Sequence, residues 1–150
     1  MNKHELLLPP DVLSCAEKHE NEYWWHWRDL NRVADAAEKV GLASDGWQVI
    51  FRSPDGASQI YWSQSHTDKR WYNEPWSQYV RRSWRKTRLG WQELIESRTV
   101  IDEGRRILTI MQETEDHLIF PHNVIWFVLF LESEPLYNSP SLNLRTSLVS

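Results

Sequence analysis

From Trp76 onward, apolar residues recur at the spacing of one helical face. At about 100° per residue and with Trp76 at zero, Val80, Trp84, Thr87, Trp91, Leu94 and Ile95 fall within about 0° to 100°. The spacing predicts a helix to about residue 96 with three indoles on its buried face. Asn73 is a candidate N-cap, with Pro75 in the first turn. Gly90 lies inside this pattern and costs about 1 kcal/mol against Ala there. A break at Gly90, with Thr87 capping a second piece, is the alternative to one continuous helix.

An earlier helix is predicted from about Asn21 to Val40, closed by Gly41 and preceded by a short turn from an Asp11 N-cap through Ala16. With His19 at zero, Tyr23, Trp27, Leu30, Ala34 and Ala37 form one stripe between roughly 0° and 80°. Trp24 lands near roughly 140° and Trp25 near roughly 240°, both off that stripe. Between the two helices, "WQVIFRS" and "SQIYWSQ" alternate around "PDGA", which predicts a β-hairpin. Trp47, Val49 and Phe51 share one face of it, with Ile60 and Trp62 opposite them.

After Ser97 the pattern changes to short apolar runs, "TVI", "RRILTIM", "HLIF" and "VIWFVLFL", separated by "DEG", "QETED" and "PHN". These predict an antiparallel meander. "RRILTIMQETEDHL" also fits a helix, because Ile107, Met111 and Leu118 suit either period. The unbroken apolar run at 124–131 predicts a strand covered on both faces or central in the sheet. The expected fold is α+β: two amphipathic helices packed on an antiparallel sheet, in the order helix, hairpin, helix, strand meander. Residues 1–131 would form one domain and 132–150 a polar C-terminal tail, over the surface or disordered.

Composition alters this picture mainly through tryptophan. The chain has 150 residues, 41% hydrophobic and 25% charged, which is ordinary for one globular domain and excludes wholesale disorder or a fibrous repeat. Ten of the residues are Trp, the residue most enriched at interface anchors and stacking surfaces. Cys15 is the one cysteine, so no internal disulfide forms and a reducing cytoplasm is expected. The N-terminal apolar run is broken by Pro9 and Pro10, too short for a signal-peptide core. No run approaches the roughly 20 apolar residues that span a bilayer as a helix.

Charge is distributed in blocks. The total is −4, but residues 1–68 carry −5, residues 69–88 carry +6 and residues 89–150 carry −5. The basic block sets Lys69, Arg70, Arg81, Arg82, Arg85, Lys86 and Arg88 against Glu74 alone. Arg81, Arg82, Arg85, Lys86 and Arg88 fall at about 120° to 280° on the second helix, opposite its Trp stripe. A row of guanidiniums on a rigid helix suits an anionic partner. The same row also suits a solvated face neutralised by acids from elsewhere in the fold.

Other chemistry is sparse. Trp24 and Trp25, flanked by His26 and Arg28, are candidate interface anchors, although the "ELLLPP" segment could fold over Trp24. His19, Glu22, His26 and Asp29 share about 80° of the first helix but lack a converging second element, so no metal site is expected. No Gly-x-Ser-x-Gly elbow, Gly-rich phosphate loop or paired Cys motif is present. Glu113 with Glu115 and Glu132 with Glu134 match paired carboxylates and acidic hairpin ends equally well. The element order resembles the cone-shaped fold of the ketosteroid isomerase superfamily, whose members enclose an apolar pocket; no motif accompanies the resemblance.

The sequence therefore leads to a non-enzymatic binding protein, of the kind of a small inhibitor, immunity or accessory protein, with no cofactor and no membrane. The expected contact residues are Trp24, Trp25, Arg28, Arg81, Arg82, Arg85, Lys86 and Arg88, and the expected partner is an acidic protein surface. Nucleic acid is the second class, with Trp71 and Tyr72 available for stacking. A homodimer, or a small-molecule enzyme or carrier with a Trp-lined pocket, are the other arrangements.

Overall fold

The central strand of the sheet is the one with the longest apolar run. In a computed structural model, which describes residues 3–52, 58–65, 69–100, 102–103, 106 and 125–135, with backbone alone at residues 3 and 58–65, five antiparallel strands pair in the order β1-β2-β5-β3-β4. They are β1 (Glu17–His19), β2 (Glu22–His26), β3 (Ala43–Arg52), β4 (Ser58–Ser65) and β5 (Ile125–Glu132). The helices that lie wholly within the described residues include α1 (Pro10–Leu13), α2 (Leu30–Lys39) and α3 (Trp76–Ile95), with 3-10 turns at Lys3–Leu7 and Trp27–Asp29. The fold is α+β, with α2 and α3 packed on an antiparallel sheet. Strand β5 lies between β2 and β3 and hydrogen bonds to both. Ile125, Phe127, Leu129 and Leu131 alternate onto the helix-covered face and are buried.

The largest difference from expectation lies in residues 17–29. The predicted helix over 21–40 is instead a β1–β2 hairpin followed by a 3-10 turn, and the α-helix starts only at Leu30. The reversal occurs at Glu20, which has φ 54°. Two-residue alternation therefore replaces the helical stripe, and an aromatic-rich segment of five residues suits a half-buried strand. His26 caps the 3-10 turn by accepting a hydrogen bond from the Arg28 backbone N–H at 3.4 Å. The short first helix also differs: it begins after Pro9, with Asp11 inside its first turn rather than capping it.

Helix α2 buries Leu30, Val33, Ala34 and Ala37. It ends at Gly41, whose φ of 78° turns the chain back so that Leu42 N–H reaches Ala37 O, as expected of a glycine stop. Helix α3 buries Trp76, Val80, Trp84, Thr87 and Trp91 along the expected stripe. Its cap is Pro75, while Asn73 sits two residues earlier in the left-handed region with φ 62°. The helix is continuous through Gly90. A β-carbon at that position would lie 2.7 Å from Trp47 Cη2, so the glycine admits the β3 indole to the helix surface.

Strand β3 carries Trp47, Val49 and Phe51 on its buried face and pairs with β4 from Arg52↔Ser58 to Trp47↔Ser65. The "PDGA" turn and the side chains of Ile60 and Trp62 lie outside the described residues. So do residues 107–124, most of the stretch where the meander, or a helix over 105–118, was expected, and the tail from 136; residues 98–100, 102–103 and 106 are helical, so "TVI" does not open the meander as a strand. A bulge between Ser44 and Trp47 breaks the β3–β5 register, with Gly46 at φ 108°. There Ser44 N–H donates to Ser83 Oγ at 3.0 Å, and the Ser44 and Thr87 hydroxyls lie 2.6 Å apart. This buried polar group fixes α3 on β3 where the β3–β5 ladder is interrupted.

Candidate interaction surface

The basic block forms a loop and the face of α3 behind it. Glu74, buried, accepts two bonds from Arg82, Nε to Oε2 at 2.9 Å and Nη2 to Oε1 at 2.7 Å. The same carboxylate accepts the Trp71 backbone N–H at 3.0 Å, while Arg82 Nη2 reaches Lys69 O at 3.0 Å and Arg70 Nε reaches Glu74 O at 2.9 Å. Hydrogen bonding by Arg82 holds the Glu74 carboxyl below the usual range, as expected for a charge-assisted bidentate pair. The Arg82 guanidinium lies 4.0 Å from the Trp71 ring centroid and 5.4 Å from that of Tyr79. Loop 69–74 is thus held at both ends and through its middle.

That rigid loop projects aromatic surface into solvent. Trp71 is 57% exposed and Tyr72 79%. Further along the same side of α3, Arg85, Lys86 and Leu89 are exposed, and Lys69 flanks the loop. Arg81 is also exposed, beside a cleft shared with Asp35, Glu38 and Lys39 of α2. Arg88 is used differently: it forms ion pairs with Asp35 and Glu38, so it joins α2 to α3. The expected row of five cations therefore divides. Arg82 organises the loop and Arg88 ties the helices, while Arg81, Arg85 and Lys86 point outward.

The anchors expected at Trp24 and Trp25 are corrected by the hairpin. Trp25 is 0% exposed, stacked on Phe127 of β5 at 5.9 Å, and its Nε1 donates to Val12 O at 3.1 Å. It cannot meet a partner in this fold. Trp24, on the other face, stacks on His19 at 3.7 Å and donates to Glu22 Oε1 at 3.3 Å, which leaves it half-buried. Arg28 is exposed, with its guanidinium 5.9 Å from the Trp27 centroid. His19, Glu22, His26 and Asp29 are no longer on one helical face. His19 and Glu22 are cross-strand partners, and His26 packs edge-on against Trp126. Among the described residues no group of three or more His, Cys, Asp or Glu is placed to hold a metal ion.

Of the carboxylate pairs, Glu132 accepts the Tyr79 hydroxyl at 2.9 Å and Glu134 is exposed, whereas Glu113 and Glu115 lie outside the described residues. No helix among the described residues is long and apolar enough to cross a membrane. Comparison with protein-family models, with curated proteins and with solved structures finds no match.

Proposed function

We propose that this is a non-enzymatic binding protein, acting in a reducing compartment, that uses loop 69–74 and the basic face of α3 to cover an acidic protein surface. It would act as a small inhibitor or accessory protein does, by occlusion. The observation that supports this most is the exposure of Trp71 and Tyr72 on a loop already fixed by the Arg82–Glu74 pair. Exposed aromatics held in place lose little conformational entropy on contact, which is the usual character of an interface anchor. Arg81, Arg85 and Lys86 then supply the field that steers an acidic partner.

The test uses the full chain with a photo-crosslinking residue replacing Tyr72, in nuclease-treated lysate over a salt series. Support requires one acidic protein, crosslinked to the wild-type frame. It must be lost, by about tenfold or more, on Trp71→Ala or on Arg81→Glu with Arg85→Glu, while each variant keeps the parent melting temperature. Crosslinks that disappear with nuclease treatment would replace the reading with single-stranded nucleic acid stacked on the same two rings. No crosslink above that of the Trp71→Ala protein would sink it.

A further inference from the structure

A groove of about 330 Å³ opens between the 3-10 turn Trp27–Asp29 and the second half of α3, on residues that take no part in loop 69–74. Its walls are the indoles of Trp27 and Trp91, and Leu30 and Ile95 add aliphatic surface. Trp91 is fixed in place. It packs edge-on against Trp47 at 5.5 Å and Phe127 at 5.0 Å, and its Nε1 donates to Trp27 O at 3.4 Å. A wall held by the core is present before any ligand arrives.

The rim carries both signs of charge. Arg28 is exposed beside the Trp27 ring, and Glu96 is exposed near the end of α3, where it accepts the Gln92 amide at 3.4 Å. Arg88 also lines the groove, but Asp35 and Glu38 neutralise it. A ligand of one charge would meet a like charge as well as an opposite one on this rim, whereas a ligand with both charges would match it. The volume is at the lower end for small-molecule sites and suits one or two fused rings. We propose that this groove binds a free aromatic amino acid or a close zwitterionic analogue. The ring lies against Trp27 and Ile95 with buried Trp91 at the base of the groove, the carboxylate is on Arg28 and the ammonium on Glu96.

The experiment is ligand-observed saturation-transfer NMR and calorimetry on the full chain, with L-tryptophan, phenylacetate and phenethylamine as probes. Expected is L-tryptophan binding weakened about tenfold or more for each singly charged probe, and about tenfold or more in Arg28→Gln and in Glu96→Gln. Ile95→Trp, which fills the groove, should abolish the signal with little change in melting temperature, whereas Trp71→Ala should leave it intact. Absence of L-tryptophan binding up to about 5 mM would overturn the proposal. So would phenylacetate binding as tightly as L-tryptophan, or retention of binding in Ile95→Trp.

Discussion

Arg82 and Glu74 close two parallel hydrogen bonds, at 2.9 and 2.7 Å, beneath a tryptophan that solvent still reaches. The pair explains how a loop rich in cations stays ordered. Its one carboxylate is buried and saturated by donors from Arg82 and the Trp71 backbone, so removing the guanidinium leaves an uncompensated charge in the protein. Arg82→Ala should therefore cost about 3 kcal/mol of stability, measured by urea unfolding. It should also raise the Glu74 pKa. Because the Glu74 value is depressed in the fold, its contribution is present above the ordinary carboxylate value of 4.5 and is lost as pH falls through the lowered value. In Arg82→Ala that acid-side loss should vanish.

Glu5 works in the opposite direction. It is 1% exposed in the N-terminal 3-10 turn, Oε2 has no hydrogen-bond partner among the described residues, and burial raises its pKa from 4.5 to about 7 despite the Tyr23 backbone N–H. A raised carboxyl binds its proton more tightly folded than unfolded. Stability is thus fully present below 4.5 and falls as pH rises towards about 7, then levels off. The expected fall is about 2 kcal/mol once partial screening by solvent is allowed for. Unfolding curves of wild type and Glu5→Gln across this interval should differ in slope, with the variant flat. An identical slope in both would show that another group is responsible.

At Gly90, helix propensity and packing oppose one another. On an exposed helix Gly→Ala stabilises by about 1 kcal/mol, but here the new methyl would meet the Trp47 ring, itself buried and held edge-on by Trp91. Gly90→Ala should destabilise the protein by about 1 to 3 kcal/mol, visible as a lowered melting temperature. A rise in melting temperature would mean that Trp47 can retreat.

The two aromatic pairs should separate cleanly by substitution. Trp25→Ala removes a fully buried ring and its bond to Val12 O, at a cost of about 3 to 5 kcal/mol. Trp71→Ala removes exposed surface and should change stability by less than about 1 kcal/mol. Thermal unfolding of both proteins side by side decides the point.

Much of this protein's architecture is already local. The stripe from Trp76 to Trp91 specifies α3, the alternation of Trp47, Val49 and Phe51 specifies β3, and the unbroken run around Phe127 belongs in the middle of a sheet, because each depends on the spacing of neighbours along the chain. Residues 17–29 were not legible in that way. Their aromatic positions satisfy a helical period almost as well as a strand period, and what decides is the edge of β5, which supplies hydrogen bonds to Trp25 and His26 that no local rule contains. Gly90 is similar: its place in α3 is explained by Trp47, forty-three positions earlier in the chain.

The charges follow the same division. Sequence alone shows that residues 69–88 are basic, since that is a count, and it places Arg81, Arg82, Arg85, Lys86 and Arg88 on one side of a helix, since that is a period. It does not say which of them remain outward. That depends on Glu74 turning in beneath Arg82, and on α2 bringing Asp35 and Glu38 to Arg88. These ion pairs are non-local or form only when a loop folds back, so tertiary structure alone separates the cations that hold the fold from those facing solvent, and moves the exposed rings from Trp25 to Trp71 and Tyr72.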